Sequence, residues 1–346
     1  MVTAEDIIDW IQLFSTKNIG IKNFWSLMNV YGTASEALKH VKLPSDRREA
    51  EKIYKKAQGN VLITIDDKYS KHLKDHGFPP PILYYSGNCE FLNENLISIV
   101  GARNASLTGR NIAERFAKNL REYFPIASGM ARGIDTYALT TATNAGKAVA
   151  VLPFGLDNIY PQENAKLFDK VCANGVAVTE VPPGRHPDQG MFFARNKLLV
   201  SMSRGIIVIE AALKSGTMNT AELALDMGCE VMVVPGSPLD ARSFGSNLLI
   251  KNGANLVQTA QDVLEIISPT VIEQKQIFQP VAHKSSSNDI SNISEYILTQ
   301  LSSIPVSIDV LADVTNTEIS ELLAIVSQLE LAGKIAKTHN NEIVLV

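Results

Sequence analysis

The sequence has no apolar run of the roughly 18 residues that a membrane span needs. Its first residues, MVTAEDIIDW, are acidic where a secretory leader is basic. Both absences point to the cytoplasm and away from a membrane or secreted protein. Cysteine is scarce: Cys89, Cys172 and Cys229 are scattered and odd in number, and the six histidines are scattered too. That pattern gives no disulfide framework and no metal site, so no metal and no cofactor is expected. Aromatic residues are only 7% of the chain. A dominant charge is missing as well. Lys and Arg number 32 against 36 Asp and Glu, a formal net charge of −4, which lacks the basic signature of many nucleic-acid binders. What is present, 45% hydrophobic and 20% charged residues over 346 positions, is an ordinary globular composition with room for more than one domain.

The distribution of charge says more than its sum. Nine of the eleven arginines lie between Arg103 and Arg242, whereas after residue 290 two lysines, Lys334 and Lys337, stand against seven carboxylates. A phosphate-binding surface is therefore expected in the middle of the chain and not at its end. Residues 1–60 read as a helical N-terminal domain, with a capping box at Thr3 to Asp6 ahead of Ile7, Ile8, Ile11, Leu13 and Phe14. Its short helices around Asn18-Ile19-Gly20 fit either a helix-hairpin-helix module or a helical packing domain. The missing second glycine of the turn favours packing.

Residues 61–267 alternate apolar strands with helices, the strands lying at Leu96–Val100, Pro125–Ala127, Ala148–Leu152, Val176–Val178, Ile206–Ile209 and Val231–Val234. One helix is expected over Arg195–Met202. Strands apolar along their whole length belong in a parallel sheet covered on both faces, an α/β, Rossmann-like doubly wound fold. Residues 268–290 lose periodicity and gain polar residues, as a linker does. Residues 291–346 read as three helices and two strands, a winged-helix pattern, with a capping box at Thr315 to Glu318 before Ile319, Leu322, Leu323, Val326 and Leu329.

In an open parallel sheet, ligands bind beyond the carboxyl ends of the strands, where helix N-termini present free N–H groups. Four segments carry what such a rim needs. They are Gly101-Ala102-Arg103, Ser128-Gly129-Met130-Ala131-Arg132-Gly133-Ile134-Asp135, Lys214-Ser215-Gly216-Thr217, and Pro235-Gly236 with Gly245-Ser246-Asn247. Glycine lets backbone N–H groups approach an anion, Ser and Thr donate hydrogen bonds, and Arg adds charge and a planar donor fork. One glycine turn is ordinarily only a turn; four at one sheet edge describe an anion-binding rim.

Enzyme templates fit poorly, and no catalytic residue is assigned. The glycine after Gly101 is Gly109, so no dinucleotide fingerprint follows Val100, and no phosphate-loop signature occurs. A nucleophilic triad would have only His186, in a loop-like segment. His72 and His76 lack a third metal ligand. Asp135, near Arg132 at a helix start, reads as structural.

Taken in order, Val100-Gly101-Ala102-Arg103, Ser128 to Asp135, Arg195-Asn196-Lys197, Val233-Val234-Pro235-Gly236 and Gly245 to Ile250 resemble the DNA-processing protein A (DprA/Smf) family. Pro79 to Tyr84 and Gly87 upstream match it too, and the resemblance is most specific over residues 79–257. It implies a Rossmann-like core behind an N-terminal helical, sterile-alpha-motif-like domain. It also implies a non-enzymatic homodimer that binds single-stranded DNA, protects it and loads the RecA recombinase onto it during natural transformation. Carried over, Arg103, Ser128, Gly129, Arg132, Gly133, Arg195, Asn196 and Lys197 line the DNA groove, with Phe192 as a stacking platform. Gly101, Lys214, Ser215, Gly216, Thr217, Ser246 and Asn247 complete the candidate set from the rim. Phe193 stands where the family commonly has proline, and Lys197 where it has arginine. From the residues alone, Phe192 and Phe193 also read as core side chains. Charge reversal at Arg132 or Arg195 is expected to weaken single-strand binding.

The winged-helix segment carries Glu318, Glu321 and Glu330 with no basic residue before Lys334, a face that repels phosphate. It is expected to contact protein rather than duplex DNA. Two rival readings stand beside the DNA loader. One is a Rossmann-like nucleotide phosphoribohydrolase of the lysine-decarboxylase-like type. Its motif requires glutamate where this sequence has Thr220, and the first glutamate is Glu222. The other is an adaptor that recruits a partner through its acidic C-terminal domain.

Overall fold

The computed structural model describes residues 2–75, 79–185 and 189–268 and, further on, residues 294, 297–298, 301, 306–315, 317–338 and 342–345. The expected linker from residue 269 onward, His76, His186 and the turn at residues 339–341 lie outside the described residues. The chain divides into two compact units, residues 1–275 and 276–346.

Four helices open the first unit: α1 (Ala4–Phe14), α2 (Ile21–Tyr31), α3 (Ala34–His40) and α4 (Arg47–Lys56). The capping box at Thr3 and Asp6 forms, satisfying two N–H groups that the first helical turn leaves free. Ile7, Trp10, Ile11, Leu13 and Phe24 close a core against Val61, Ile63, Ile82 and Tyr84 of the sheet edge. The helical domain is thereby seated on strands β1 (Val61–Ile63) and β2 (Ile82–Gly87).

After the one-turn helix α5 (Lys71–Lys74), the chain builds the rest of the sheet. The strands are β3 (Leu96–Gly101), β4 (Ile126–Ser128), β5 (Ala148–Val151), β6 (Gly175–Thr179), β7 (Ser203–Ile209), β8 (Glu230–Val233) and β9 (Asn255–Leu256). Their order is β1-β2-β6-β5-β4-β3-β7-β8-β9, parallel from β6 to β9 with β1 and β2 antiparallel at one edge. The intervening helices are α6 (Leu107–Leu120), α7 (Ile134–Thr143), α8 (Ala165–Asn174), α9 (Gln189–Ser201), α10 (Gly216–Asp226), α11 (Phe244–Lys251) and α12 (Ala260–Ile267). Side chains of α6, α7, α8 and α12 form one core, and those of α9, α10 and α11 another. Both faces of the sheet are thus covered, as continuous apolar strands require. Strand β3 pairs with β4 on one side and β7 on the other, so the winding reverses there. Ligand crevices in such sheets open at this switch point.

Most strand ends shift by one residue from the sequence reading, and two boundaries shift further. Helix α9 starts at Gln189, not Arg195, because its first turns leave Phe193 exposed and so break the apolar periodicity. Strand β7 starts at Ser203, three residues before the apolar run; its Ser203 hydroxyl shares a 2.6 Å hydrogen bond with that of Ser98, which keeps the polar start inside the sheet.

The second unit contains α13 (Ile308–Thr315), α14 (Ile319–Leu331) and the antiparallel pair β10 (Ile335–Lys337) and β11 (Ile343–Leu345). Leu311, Leu322, Val326, Ile335 and Ile343 are buried among its core residues. This is a winged-helix domain. The capping box expected at Thr315 does not form. Thr315 belongs to α13, its hydroxyl donates to the Leu311 carbonyl at 2.7 Å, and Glu318 caps α14 without a side-chain bond. Among the described residues no helix is long and apolar enough to cross a membrane.

Candidate nucleic-acid interface

The four glycine-bearing segments follow β4, β3, β7 and β8, neighbouring strands at one end of the sheet. Close packing there demands glycine. A Cβ at Gly101 would lie 1.9 Å from the Ile209 carbonyl oxygen. At Gly133 the backbone is left-handed, with φ +73°, and a Cβ would meet the Ala102 carbonyl oxygen at 2.2 Å. Thr217 ties α10 to β3 by donating to the Gly101 carbonyl at 3.0 Å, and Ser215 caps α10 by accepting from the Met218 N–H.

Two adjoining chambers open at this edge. The larger, about 610 Å³, is lined by Gly101, Arg103, Phe193, Asn196, the Ser215–Thr217 turn and Arg242, among others. The smaller, about 320 Å³, is lined by Gly129, Arg132, Phe154, Tyr160 and Pro161, among others. Arg103, Asn104, Ala131, Phe192 and Arg195 border both. At that junction the exposed Arg103 holds its guanidinium 5.9 Å from the centre of the Phe192 ring, within cation–π range.

The arginines divide by environment. Arg195 is buried, and its Nη1 donates to the carbonyls of Gly129 and Val151. Buried Asp135 accepts from the other side of the same turn, at 3.1 Å from the Gly129 N–H and 3.3 Å from that of Ala131. Residue Gly129 is thus held at its N–H by Asp135 and at its C=O by Arg195. Burial pushes the Asp135 carboxyl up and the Arg195 guanidinium down, each opposed by the other's charge. Arg132, exposed, is engaged by both oxygens of Glu163, one at 2.9 Å. Arg242 is bound bidentately by Asp240, at 3.0 and 2.8 Å. Arg103 pairs with no carboxylate among the described residues.

Other candidates are structural or lie elsewhere. The Ser128 hydroxyl is buried and donates to the Ile99 carbonyl at 2.6 Å. Ser246 accepts from the Ala211 N–H at 2.9 Å, and the Asn247 amide bonds both the N–H and the C=O of Gly236. These contacts fix the loops after β7 and β8. Lys214 is exposed beside the α10 cap. Lys197 borders a separate small cavity with Glu180, whose carboxyl burial raises to about 7 against the pull of that lysine.

Sequence reasoning missed Asn104, Tyr160, Asn219 and Arg242, all of which line the chambers. Asn104 simply follows Arg103, but Tyr160 comes from a loop and Arg242 from a single 3-10 turn whose place at the rim is set by the fold. It also missed Glu210, at the end of β7. That residue adopts φ 53°, a left-handed backbone that costs energy outside glycine. Its carboxylate accepts from the Ser106 N–H at 2.9 Å and from the Ser106 hydroxyl, anchoring the loop that carries Arg103.

A family model described as DNA recombination-mediator protein A matches residues 60–268. Models of a DprA-like N-terminal HHH domain and a DprA winged helix domain match residues 4–61 and 282–341. For the N-terminal helices this favours the helix-hairpin-helix reading over the packing domain that the missing glycine suggested. The chain is 38% identical over 201 residues to the DNA processing protein DprA of Streptococcus pneumoniae, covering 58% of this chain and 71% of that one. The crystal structure of DprA from that species superposes with a TM-score of 0.66 and 29% identity, over 77% of this chain and 99% of the other. DNA processing protein A from Helicobacter pylori, whose structure concerns its single-stranded DNA binding mode, superposes at 0.54 with 29% identity, over 62% and 95% of the two chains.

Proposed function

Because the chain belongs to the DNA recombination-mediator protein A family, with a role in DNA processing and recombination, we propose that its two-chamber cleft holds single-stranded DNA and that the protein delivers this strand to RecA. The observation that carries the reading is Arg103 over Phe192 where the chambers meet. A single strand offers a phosphate every nucleotide and an unpaired base face beside it, and this pair meets both needs at one point. The α10 N-terminus, with Ser215, Gly216 and Thr217, adds backbone N–H donors and the Ser215 hydroxyl for a second phosphate. Asn196 and Arg132 border the same path. Ser128, Gly133, Arg195, Ser246 and Asn247 act by holding the loops in place.

The geometry favours binding over turnover. Asp135 is the one carboxylate among the residues lining these chambers, and it already accepts two backbone N–H groups. Thr220 occupies the place of the phosphoribohydrolase glutamate and donates its hydroxyl to the Gly216 carbonyl at 3.0 Å. We assign residues 1–60 to the helical domain, 61–267 to the DNA-binding core and 291–346 to the winged helix. In this reading the protein works in the cytoplasm as a homodimer, protects incoming DNA in natural transformation, and uses its acidic winged helix to contact protein.

The test is fluorescence anisotropy with labelled oligothymidylate and a duplex of equal length, followed by RecA filament assembly on the bound strand. Tight, salt-sensitive binding that prefers the single strand, with faster filament assembly, is the expected result. Equal binding of duplex would contradict the cleft assignment, and unchanged assembly would contradict the loading role.

A further inference from the structure

Exposed aromatic rings are rare in this chain. Among the described residues four are exposed: Tyr123, Tyr160, Phe193 and Phe244. Two of the four line the cleft, one in each chamber. Tyr160, 52% exposed, borders the smaller chamber, and Phe193, 60% exposed, borders the larger. Between them stands Phe192, partly buried and covered by Arg103. A phenylalanine left largely in water forgoes the burial that ordinarily holds it in a fold, so its folded-state packing does not account for it. Nor does helix formation, since Phe is an indifferent helix former and alanine serves better at an exposed site.

We propose that Phe193 and Tyr160 are base-stacking platforms on either side of the Arg103–Phe192 pair, so that the cleft seats a run of successive bases rather than one. The inference rests on the single-strand reading above and extends it. Stacking suits this position because every base has a π-face, so affinity is gained without selecting sequence. The arginines offer charge for the phosphates beside these rings: Arg103 borders both chambers, Arg132 the smaller and Arg242 the larger. With so few aromatic residues in the whole chain, the placement of one exposed ring in each chamber is what distinguishes a stacking path from a purely electrostatic groove.

The test uses the full chain with labelled oligothymidylate. Phe193→Ala and Tyr160→Ala are each expected to weaken binding about tenfold. The slope of log affinity against log salt should stay unchanged, because no charge is lost. Phe193→Trp should retain affinity, and its added fluorescence should be quenched on binding once the signal of Trp10 and Trp25 is subtracted using the parent protein. Wild-type affinity in both alanine variants, or unquenched tryptophan at saturation, would overturn the platform while leaving the single-strand reading standing. Failure of the parent protein to bind the oligonucleotide at low salt would overturn both.

Discussion

Arg195→Ala is expected to lower the stability of the unit spanning residues 1–275 by about 3–5 kcal/mol, the usual cost of leaving one partner of a buried charge pair alone. The guanidinium is buried and donates to Gly129 and Val151, in the loop after β4 and on β5. Removing it leaves the Asp135 carboxylate buried opposite a cavity and frees two carbonyls of their donor. Arg195→Glu would be worse, since it places a second carboxylate beside the first. The measurement is urea unfolding followed by circular dichroism. A full loss of single-strand binding in a variant of unchanged stability would instead make Arg195 a phosphate contact. The sequence reading grouped Arg195 with the groove-lining arginines and expected charge reversal there to weaken single-strand binding.

Arg103→Glu is expected to weaken oligothymidylate binding about ten- to hundredfold, the range set by one charge-assisted hydrogen bond and the repulsion that replaces it. The side chain is exposed, so the fold does not depend on it. It is also the cleft arginine that meets no carboxylate among the described residues, whereas Arg132 is held by Glu163 and Arg242 by Asp240. A phosphate approaching Arg103 displaces only water and counterions. Arg103→Ala should therefore lower the salt slope by about one as well as the affinity. Binding of parent strength by folded Arg103→Glu would show that the strand takes another route.

Much of this architecture is legible in the residues. Strands β3, β5 and β8 are short, mainly apolar runs with glycine at their end or proline two residues beyond it, and such runs fit a sheet buried on both faces. The glycine turns are legible for the same reason, since the close approach at Gly101 and Gly133 leaves no room for a side chain. What the sequence conceals is partnership. Arg195 and Arg103 look alike in one dimension. Only the fold brings Asp135 opposite one of them and Phe192 under the other. Phe193 was hidden by the opposite error: two adjacent phenylalanines suggest a core, and the turn of α9 buries neither fully and exposes the second. Ser246 and Asn247 carry hydrogen-bonding groups suited to an anion, yet the backbone of two loops consumes them.

The central claim is that single-stranded DNA lies in the cleft over the β3–β7 switch point. Photo-crosslinking of an oligothymidylate carrying 4-thiothymine, followed by peptide mapping, tests it most directly. The account predicts crosslinks in the segments bearing Arg103 and Asn104, Tyr160, and Phe192 and Phe193. Crosslinks confined to residues 1–60 or to the winged helix would contradict it.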